Sequence, residues 1–374
     1  MQYRIYGNIG IKLSALGFGG MRLPEVEGNG KKQVDEEKAI QMIRRAFELG
    51  INYIDTAYQY HDGYSEVVVG KAIKGWRDRI FVSSKSPAKL IEKPGDYRRI
   101  LEEQLTKLQE DYLDFYYFHG ISYQSFTEIN KKANWLKEAE QAKDEGLIKH
   151  ITFSFHGPPE EMIQLVDLGV FEGVLCQYNF LDRRNEAAIA YAKNKGLGVT
   201  IMGPVGGGRI AGLPEKIRQE LGLPVENNVE LALRFVLANP NVTCALSGMG
   251  TLEMVEENAR YAGNTEPLRS EEVGAINALM EKYRKLADLY CTGCKYCLPC
   301  PKGIDIPAIF NLYNYHNVYG LKDYARENYA GYGKQPWLPK LKADACSECG
   351  ACEQKCPQKI KIRQQLKEAH RVLE

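Results

Sequence analysis

Four polar side chains with complementary acid–base properties follow successive apolar runs in the first third of the chain. Asp55 ends one run, Tyr60 comes five residues later, Lys85 ends the next run and His119 ends the one after that. A phenol is a weak acid unless its phenolate is stabilised, and an ammonium group held by a carboxylate can stabilise it. With an imidazole to bind a carbonyl oxygen, this set would protonate a developing alkoxide, which is the chemistry of carbonyl reduction.

Each of these residues also has an ordinary structural explanation. Asp55 could cap the helix that follows, Lys85 could extend its charged end to solvent, and His119 could be a hydrogen-bonded rim residue. Tyr58, two residues before Tyr60, is a second candidate for the acid. Four polar residues at successive strand ends are harder to explain separately, so we treat them as one candidate site.

The elements that must position these residues repeat along the chain. Apolar runs typical of buried strands alternate with helical patterns, and glycines close several of the helices. Eight such strands indicate a (β/α)8 TIM barrel, whose active site lies at the carboxyl ends of the strands. A doubly wound sheet is the alternative, but it would more usually carry a glycine fingerprint after its first strand. The predicted strands are Leu13–Gly19, Ile51–Asp55, Ile80–Ser84, Leu113–Phe118, His150–Phe155, Gly173–Tyr178, Gly198–Met202 and Thr243–Ser247.

A second domain is predicted after the barrel. A typical barrel has about 250 residues, whereas this chain has 374. From residue 290 onward, cysteine, proline, lysine and tyrosine become frequent. We expect a barrel over residues 1–270, opened by a short hairpin, then a connecting helix over 271–289 and a cysteine-rich domain over 290–374.

The composition excludes several classes of protein. Hydrophobic residues make up 44% and charged residues 26% of the chain, as in ordinary globular proteins. A net charge of +1, without a basic stripe, gives no reason to expect nucleic-acid binding. Neither a signal-peptide core nor a membrane span is visible in the sequence. We therefore expect a cytoplasmic protein that binds neither nucleic acid nor a membrane.

The segments around the candidate site, Tyr53–Ala57 and Ser65–Gly70, resemble the aldo-keto reductase family, and the similarity extends over about residues 1–265. The resemblance implies an NAD(P)H-dependent oxidoreductase in which the reduced nicotinamide lies in the barrel mouth and delivers hydride to a small-molecule carbonyl substrate. The family uses its tyrosine as the general acid. Its lysine and aspartate tune that tyrosine, and its histidine orients the carbonyl.

Transferred to this sequence, these roles fall on Tyr60 as the acid, Lys85 and Asp55 as the residues that tune it, and His119 as the residue that orients the substrate. The spacing of five residues after Asp55 favours Tyr60 over Tyr58. A barrel that has lost catalysis and only binds ligands is disfavoured, because all four positions are filled. The identity of the carbonyl substrate cannot be assigned from the sequence.

Glycines follow the seventh and eighth predicted strands, where barrels commonly bind phosphate groups. Their backbone N–H groups are open to an anion, although a flexible turn is the alternative explanation. The family resemblance adds a serine and a glutamine beside the nicotinamide and an aromatic ring stacked on it. The residues predicted to bind the coenzyme are Ser154, Gln177, Tyr178, Gly203, Gly206, Gly207, Arg209, Ser247, Met249, Glu257 and Asn258.

The choice between NADPH and NADH is open. Many relatives that use NADPH place a basic residue three positions before the Glu257-Asn258 pair, where this chain has Met254. An arginine is the natural partner of a phosphate group. Arg209 or Arg260 could take its place, so NADPH remains the expected coenzyme and NADH the alternative.

Eight of the ten cysteines form two runs near the end of the chain. The second run has the C-x2-C-x2-C-x3-C-P spacing of bacterial two-cluster ferredoxins, and the first is one residue shorter in its last interval. This pattern predicts an α-helical ferredoxin-like domain with two [4Fe–4S] clusters. Two zinc sites are the weaker alternative, because zinc motifs pair their cysteines. The predicted ligands are Cys291, Cys294, Cys297, Cys300, Cys346, Cys349, Cys352 and Cys356.

The pairing of ligands and the role of the clusters are separate questions. By analogy with two-cluster ferredoxins, the first three cysteines of each run would share a cluster with the last cysteine of the other run. The clusters could carry electrons between a redox partner protein and the barrel. A cluster moves single electrons whereas a nicotinamide takes a hydride, and the sequence has no flavin motif that would bridge the two. In the alternative, the clusters are structural, sense redox state or dock a partner.

Overall fold

The computed structural model describes residues 1–28, 31–208, 210–263, 268–288, 297–317, 319–335, 337–356 and 360–374. The chain divides into two compact units. The first consists of Met1–Gly207 and Val229–Arg269, and the second of Gly208–Asn228 and Ser270–Glu374. The segment Gly208–Asn228 belongs to the second unit, although it follows the seventh strand of the first. The division expected from the sequence is linear and does not group this segment with the C-terminal residues.

Within the described residues, the first unit contains eight parallel strands that pair in chain order and close into a barrel. The predicted barrel is therefore confirmed, and no doubly wound sheet is formed. Each strand is short and mostly buried, as expected where helices surround a parallel sheet. The strands are β1 (Leu16–Gly19), β2 (Tyr53–Asp55), β3 (Phe81–Pro87), β4 (Leu113–His119), β5 (Ile148–Phe155), β6 (Gly173–Gln177), β7 (Gly198–Met202) and β8 (Cys244–Ser247).

Helices separate the strands of the barrel and build most of the second unit. Asp35 caps the first helix by accepting the backbone N–H of Lys38 at 3.2 Å, and apolar residues on one face of this helix pack on the barrel. The helices are α1 (Glu36–Glu48), α2 (Tyr64–Ile73), α3 (Asp96–Leu108), α4 (Tyr123–Ala133), α5 (Trp135–Asp144), α6 (Pro159–Asp167), α7 (Glu186–Asn194), α8 (Glu215–Leu221), α9 (Asn228–Ala238), α10 (Leu252–Gly263), α11 (Ser270–Asp288), α12 (Ile306–Asn317), α13 (Lys322–Ala330), α14 (Ala351–Lys355) and α15 (Ile362–Leu373). No described helix has the length and apolar character needed to span a membrane.

The N-terminal hairpin closes the amino end of the barrel. Tyr3–Ile5 pairs antiparallel with Lys12–Ser14, and the ring of Tyr6 then fills the space beside Gly173 and Gly198, the first residues of β6 and β7. A Cβ atom on either glycine would overlap the Tyr6 ring, so these positions need glycine for packing. With the amino end filled, the opposite end is the open mouth.

Strand alternation decides which side chains enter the barrel. Tyr53 and Tyr117 lie in the same interior cluster, and the phenol of Tyr53 donates to the hydroxyl of Ser83 at 3.0 Å. Because side chains on a strand alternate between its two faces, the residue two positions further along each strand also points inward. Lys85 lies two positions after Ser83 in β3, and His119 lies two positions after Tyr117 in β4. Both side chains therefore reach the mouth.

Two elements of the barrel were not predicted. A second hairpin, Glu25–Gly28 with Lys31–Val34, follows β1. Helix α4 follows β4, with Phe126 and Ile129 buried on one face. Its N-terminus has a capping box in which Ser125 takes the place usually held by glutamate, so the common sequence signature is absent.

The second unit is α-helical in its described part. Helices α12 and α13 lie between the two cysteine runs, and α15 follows the second run. Residues from all three helices, among them Phe310, Tyr329 and Leu366, form one apolar core. Cys297 and Cys352 are buried in this core, so the cysteine runs are integral to the packing of the unit.

Candidate functional site

Lys85 and Asp55 form a buried ion pair at the mouth of the barrel. The ammonium nitrogen of Lys85 lies 2.6 Å from Oδ2 of Asp55 and also donates to the carbonyl of Thr56 at 2.6 Å. Lys85 is 1% exposed and Asp55 is 4% exposed. Charges so deeply buried persist only when they are paired and hydrogen-bonded. The neighbouring strands β2 and β3 bring the two residues together.

A chain of hydroxyl groups supports the carboxylate from below. Ser83 donates to Oδ1 of Asp55 at 2.8 Å and accepts a hydrogen bond from Tyr53 at 3.0 Å. The phenol of Tyr53 lies 3.0 Å from that of Tyr117, which in turn lies 3.2 Å from the hydroxyl of Thr200. Both oxygens of Asp55 are therefore bonded, and its orientation is fixed by the barrel interior.

Tyr60 lies directly against the buried pair. The ammonium nitrogen of Lys85 is 4.9 Å from the centroid of the Tyr60 ring. Burial raises the pKa of Tyr60 above its usual value, and the positive charge of Lys85 opposes that increase. Burial also disfavours the charge of Lys85, but Asp55 and Tyr60 outweigh it and raise the pKa of Lys85. Lys85 is therefore a cation at neutral pH, placed to stabilise a phenolate on Tyr60.

The turn that carries Tyr60 has an unusual backbone and is fastened on one side. His61 and Asp62 both have left-handed backbone angles, with φ of 51° and 54°, which costs about 1–2 kcal/mol for each non-glycine residue. The Nε2 atom of His61 accepts the backbone N–H of Leu23 at 3.2 Å, and its Nδ1 atom lies 3.3 Å from a carboxylate oxygen of Glu25. These contacts fasten the turn that carries Tyr60 and compensate for its strained backbone.

His119 completes the group beside Tyr60. Its ring lies 6.4 Å from that of Tyr60, nearly perpendicular to it. Burial, together with the positive charges of Lys85 and His156, lowers the pKa of His119 to about 3. The imidazole is therefore neutral at physiological pH and can offer one N–H group to a substrate oxygen. The structure thus brings together all four predicted residues.

Tyr58, the second candidate for the acid, faces another direction. Its phenol donates to a carboxylate oxygen of Glu103 in α3 at 2.8 Å, and the ammonium of Lys107 lies 4.2 Å from its ring centroid. The hydrogen bond to Glu103 raises the pKa of Tyr58. A phenol bound to a carboxylate is a poor proton donor to a substrate, so the geometry favours Tyr60.

His156 is a residue of the mouth that the sequence analysis missed. It follows β5, and a Cβ atom on Gly120, next to His119, would lie 3.9 Å from its Cδ2 atom. His156 is exposed at the surface. Partial burial of its ring, together with the positive charges of Arg184 and Lys85, lowers the pKa of His156. It therefore adds a second neutral imidazole beside His119. The only sequence signal was its place just beyond an apolar strand.

Three residues are predicted to surround the nicotinamide, and two of them, Ser154 and Gln177, lie on the inner side of the barrel. Ser154 is buried in β5 and accepts the backbone N–H of Gly120 at 2.7 Å, so its own hydroxyl hydrogen remains to be donated. Gln177 ends β6 on its inward face and lies against Gly203, whose carbonyl accepts its amide N–H at 3.4 Å. Both residues reach the barrel mouth.

Tyr178 has a different position. It is 2% exposed, and its ring packs on Phe235 of α9 with centroids 5.7 Å apart. Its phenol donates to Glu186 in α7 at 3.0 Å. Because Gln177 points into the barrel, the next residue must point outward to the helices. Stacking on a nicotinamide would require this ring to leave its buried place.

The predicted phosphate-binding loops follow β7 and β8. Gly203, Gly206 and Gly207 have left-handed backbone angles and no side chains that would cover the backbone. The N–H group of Gly206 already donates to the carbonyl of Gly203 at 2.9 Å. After β8, Asn258 donates to the hydroxyl of Ser247 at 3.1 Å, which ties α10 to the strand end. Met249 is fully buried and Glu257 is exposed. Arg209 lies outside the described residues.

Four of the predicted cluster cysteines line one pocket in the second unit. They are Cys346, Cys349 and Cys352 from the second run and Cys300 from the first, with the guanidinium-bearing Arg363 also in the wall. These are the four cysteines that the ferredoxin analogy assigns to a single cluster. Cys291 and Cys294 lie outside the described residues.

The donor set of this pocket fits an iron–sulfur cluster better than a single metal ion. Among the described residues, no group of three or more histidine, cysteine or acidic side chains is placed to hold one ion. A cubane cluster has no such requirement, because each cysteine binds a different iron. The N–H group of Glu348 already donates to the sulfur of Cys346 at 3.4 Å, as backbone groups do around cluster ligands.

The comparison with known proteins assigns the barrel. Residues 15–281 match the aldo/keto reductase family. The chain belongs to the aldo/keto reductase family. The reductase is 28% identical over 317 residues to the L-galactose dehydrogenase of Arabidopsis thaliana, covering 76% of this chain and 96% of that protein. It is 27% identical over 302 residues to the NADH-specific methylglyoxal reductase of Escherichia coli (strain K12), covering 67% and 90% respectively.

A solved structure gives the same assignment. The holo form of aldo-keto reductase AKR11C1 from Bacillus halodurans superposes with a TM-score of 0.63 at 28% sequence identity, over 75% of this chain and 96% of that one. The fold and the predicted class of NAD(P)H-dependent oxidoreductase are thereby confirmed. In the second unit, residues 290–360 match the 4Fe-4S dicluster domain, which confirms an iron–sulfur domain and leaves the number of clusters as a prediction.

We expect His119 to stay neutral throughout the range from about pH 5 to about pH 8, because its pKa is lowered to about 3. Nitrogen-15 NMR of histidine-labelled reductase measures this directly, and the variant His119→Gln identifies the His119 signal by its loss. A His119 signal that titrates near the ordinary pKa of histidine would contradict the buried environment described above.

Proposed function

We propose that the reductase converts a small-molecule carbonyl compound to an alcohol, or the reverse, with Tyr60 as the general acid. The observation that carries this proposal is the buried Lys85–Asp55 pair in contact with the Tyr60 ring, with the Lys85 nitrogen 4.9 Å from its centroid. When bound, the reduced nicotinamide supplies a hydride. The side chains of the mouth must then supply a proton and hold the carbonyl.

Lys85 and Asp55 make proton donation by Tyr60 feasible. After Tyr60 gives up its proton, the phenolate lies beside the Lys85 ammonium in a site shielded from water, where the attraction is stronger than in solvent. Asp55 keeps Lys85 charged and stops it from moving. In the reverse direction the same cation would help Tyr60 to accept a proton.

His119 is better suited to bind the carbonyl than to protonate it. With its pKa lowered to about 3, His119 carries no second proton at neutral pH. It can still donate its single N–H group to the carbonyl oxygen and orient it toward Tyr60. The proton and the orienting hydrogen bond therefore come from different residues.

For the coenzyme we propose NADPH, with NADH as the alternative. Ser154 and Gln177 would bind the carboxamide of the nicotinamide, and the loops after β7 and β8 would bind phosphate groups. The methylglyoxal reductase of Escherichia coli is named as NADH-specific, and this relative is the reason to keep NADH as the alternative coenzyme. Met254, at the position where a cation would favour NADPH, is 48% exposed and offers no charge.

For the second unit we propose two [4Fe–4S] clusters. Cys346, Cys349, Cys352 and Cys300 would bind one cluster, as the shared pocket supports. The remaining ligands would be Cys291, Cys294, Cys297 and Cys356. We also propose the division of the chain into a barrel over residues 1–270, a connecting helix over 271–289 and an iron–sulfur domain over 290–374.

We propose that the clusters exchange electrons with a redox partner protein. Cys349 is exposed, so a cluster that it binds would lie near the surface of its unit, within reach of a partner. The alternative is that the clusters are structural, sense redox state or dock a partner, while the barrel works as an ordinary carbonyl reductase.

The test of the reductase proposal compares two tyrosines. We expect Tyr60→Phe to lower kcat for a simple aldehyde by about a hundredfold to ten-thousandfold, because a positioned general acid contributes that much. The matched control Tyr58→Phe removes the same hydroxyl group two residues away and should retain most of the activity. Steady-state kinetics with NADPH and NADH, together with coenzyme binding, measure both effects.

Equal losses in the two variants, or a larger loss in Tyr58→Phe, would rule out Tyr60 as the acid. Weaker coenzyme binding in Tyr60→Phe, at an unchanged kcat, would point instead to a binding role for the phenol. Circular dichroism of both variants checks that the barrel remains folded.

The ligand assignment has its own test. We expect Cys300→Ser and Cys349→Ser each to lose one cluster, about half of the bound iron, and the double variant to lose no more, because both residues serve one cluster. Iron analysis and electron paramagnetic resonance after anaerobic purification measure this. Cys176→Ala, in the barrel, is the control that should keep all the iron. A double variant without any cluster would show that Cys300 and Cys349 belong to different clusters.

A further inference from the structure

An arginine that the sequence analysis did not consider lies across both predicted phosphate-binding loops. Arg22 follows β1 in the short turn Gly20–Arg22. A Cβ atom on Gly248, after β8, would lie 3.0–3.2 Å from the Cβ, Cγ and Cδ atoms of Arg22. A Cβ atom on Gly207, after β7, would lie 3.2 Å from its Nη2 atom.

The barrel topology explains this convergence. The strands β7, β8 and β1 are neighbours in the closed sheet, so the loops at their carboxyl ends meet at one sector of the mouth. Gly207 and Gly248 lack the side chains that would fill the space, and the stem of Arg22 lies there instead. Two glycine loops and one guanidinium group thus surround a single region at the surface.

The charge of Arg22 has no counterpart in the part of the chain that the structure describes. Several other arginines of the barrel are bound to acids, such as Arg45 to Glu256 at 2.9 Å and Arg77 to Asp114 at 2.8 Å. No such partner is found for Arg22 among the described residues, and its side chain is accessible to solvent. A guanidinium group has five N–H donors arranged to bind phosphate or carboxylate oxygens in pairs.

The backbone that carries Arg22 is held on both sides. The carbonyl of Gly20 accepts a hydrogen bond from Ser65 at 2.9 Å, and the N–H group of Leu23 donates to His61 at 3.2 Å. His61 is the neighbour of Tyr60 in the catalytic turn. The position of Arg22 is therefore set by the same contacts that fix the acid, and little ordering would be needed when an anion binds.

We propose that Arg22 is a binding residue for the pyrophosphate of the nicotinamide coenzyme, which it would hold against the loops after β7 and β8. This inference rests on the proposed function. Leu23, the residue after Arg22, is bonded to His61, the residue after Tyr60. Arg22 therefore lies close to the end of the coenzyme that reacts. This position favours the pyrophosphate over the 2′-phosphate. In the dinucleotide the pyrophosphate is nearer to the nicotinamide than the 2′-phosphate is.

The experiment measures coenzyme binding to the full chain rather than turnover. The variant Arg22→Met keeps a side-chain stem against Gly248 but removes the charge. Arg79→Met makes the same change in the turn before β3, at the closed end of the barrel, and is the matched control. Dissociation constants for NADH and NADPH are measured separately by nicotinamide fluorescence at two salt concentrations.

We expect Arg22→Met to weaken the binding of NADH and NADPH by the same factor, about tenfold to a hundredfold, as the loss of a charge-assisted hydrogen bond to phosphate predicts. The salt dependence of binding should fall in the same variant. The control should match the wild type. A variant that weakens only NADPH would assign Arg22 to the 2′-phosphate and overturn the proposal.

Two further outcomes are distinguishable. Unchanged affinity for both coenzymes, in wild-type and variant protein that bind them well, would overturn the role of Arg22 while leaving the proposed function intact. A wild-type protein that binds neither coenzyme would overturn the proposed function itself, and with it the role of Arg22.

Discussion

The charge of Lys85 must be compensated inside the barrel, because only 1% of this residue is exposed to solvent. Removing one partner of a buried ion pair costs about 3–5 kcal/mol, so we expect the loss of Asp55 to destabilise the barrel as well as to impair the proposed chemistry. The requirement extends outward along the chain of hydroxyl groups from Ser83 to Thr200, which fixes the carboxylate. A lysine held charged in this way is available to any group that develops negative charge beside it, and Tyr60 is the group in that place.

The turn around Tyr60 and its contacts hold the phenol beside the Lys85 ammonium. The left-handed residues His61 and Asp62 turn the chain sharply after Tyr60, and the contacts of His61 with Leu23 and Glu25 keep the turn closed. Strain of this kind persists only where surrounding contacts compensate for it. The same contacts set the position of the turn after β1, so the geometry of the proposed acid and that of the proposed coenzyme site are linked through His61.

Much of this could be predicted from the sequence, for identifiable reasons. Asp55, Lys85 and His119 each end an apolar run and Tyr60 follows five residues after Asp55, and in a closed barrel all such ends meet at one mouth. Tyr178 could have been recognised as outward-facing, because strand residues alternate and Gln177 beside it was expected to contact a nicotinamide in the barrel mouth. Arg22 could not have been found, because its contacts depend on glycines about 190 and 230 residues away in sequence, and nothing local marks it. Helix α8 was not predicted, because a short polar helix leaves little hydrophobic periodicity in the sequence.

The central claim is that Lys85 acts through Tyr60, and a double-mutant cycle tests it most directly. The rate of hydride transfer is measured in single turnovers with one aldehyde for the wild type, Lys85→Met, Tyr60→Phe and the double variant, after circular dichroism has shown that each is folded. If Lys85 serves to stabilise the phenolate of Tyr60, the double variant should be about as slow as Tyr60→Phe alone. If the two losses multiply, Lys85 acts independently of Tyr60, and the proposed role of the buried pair is wrong.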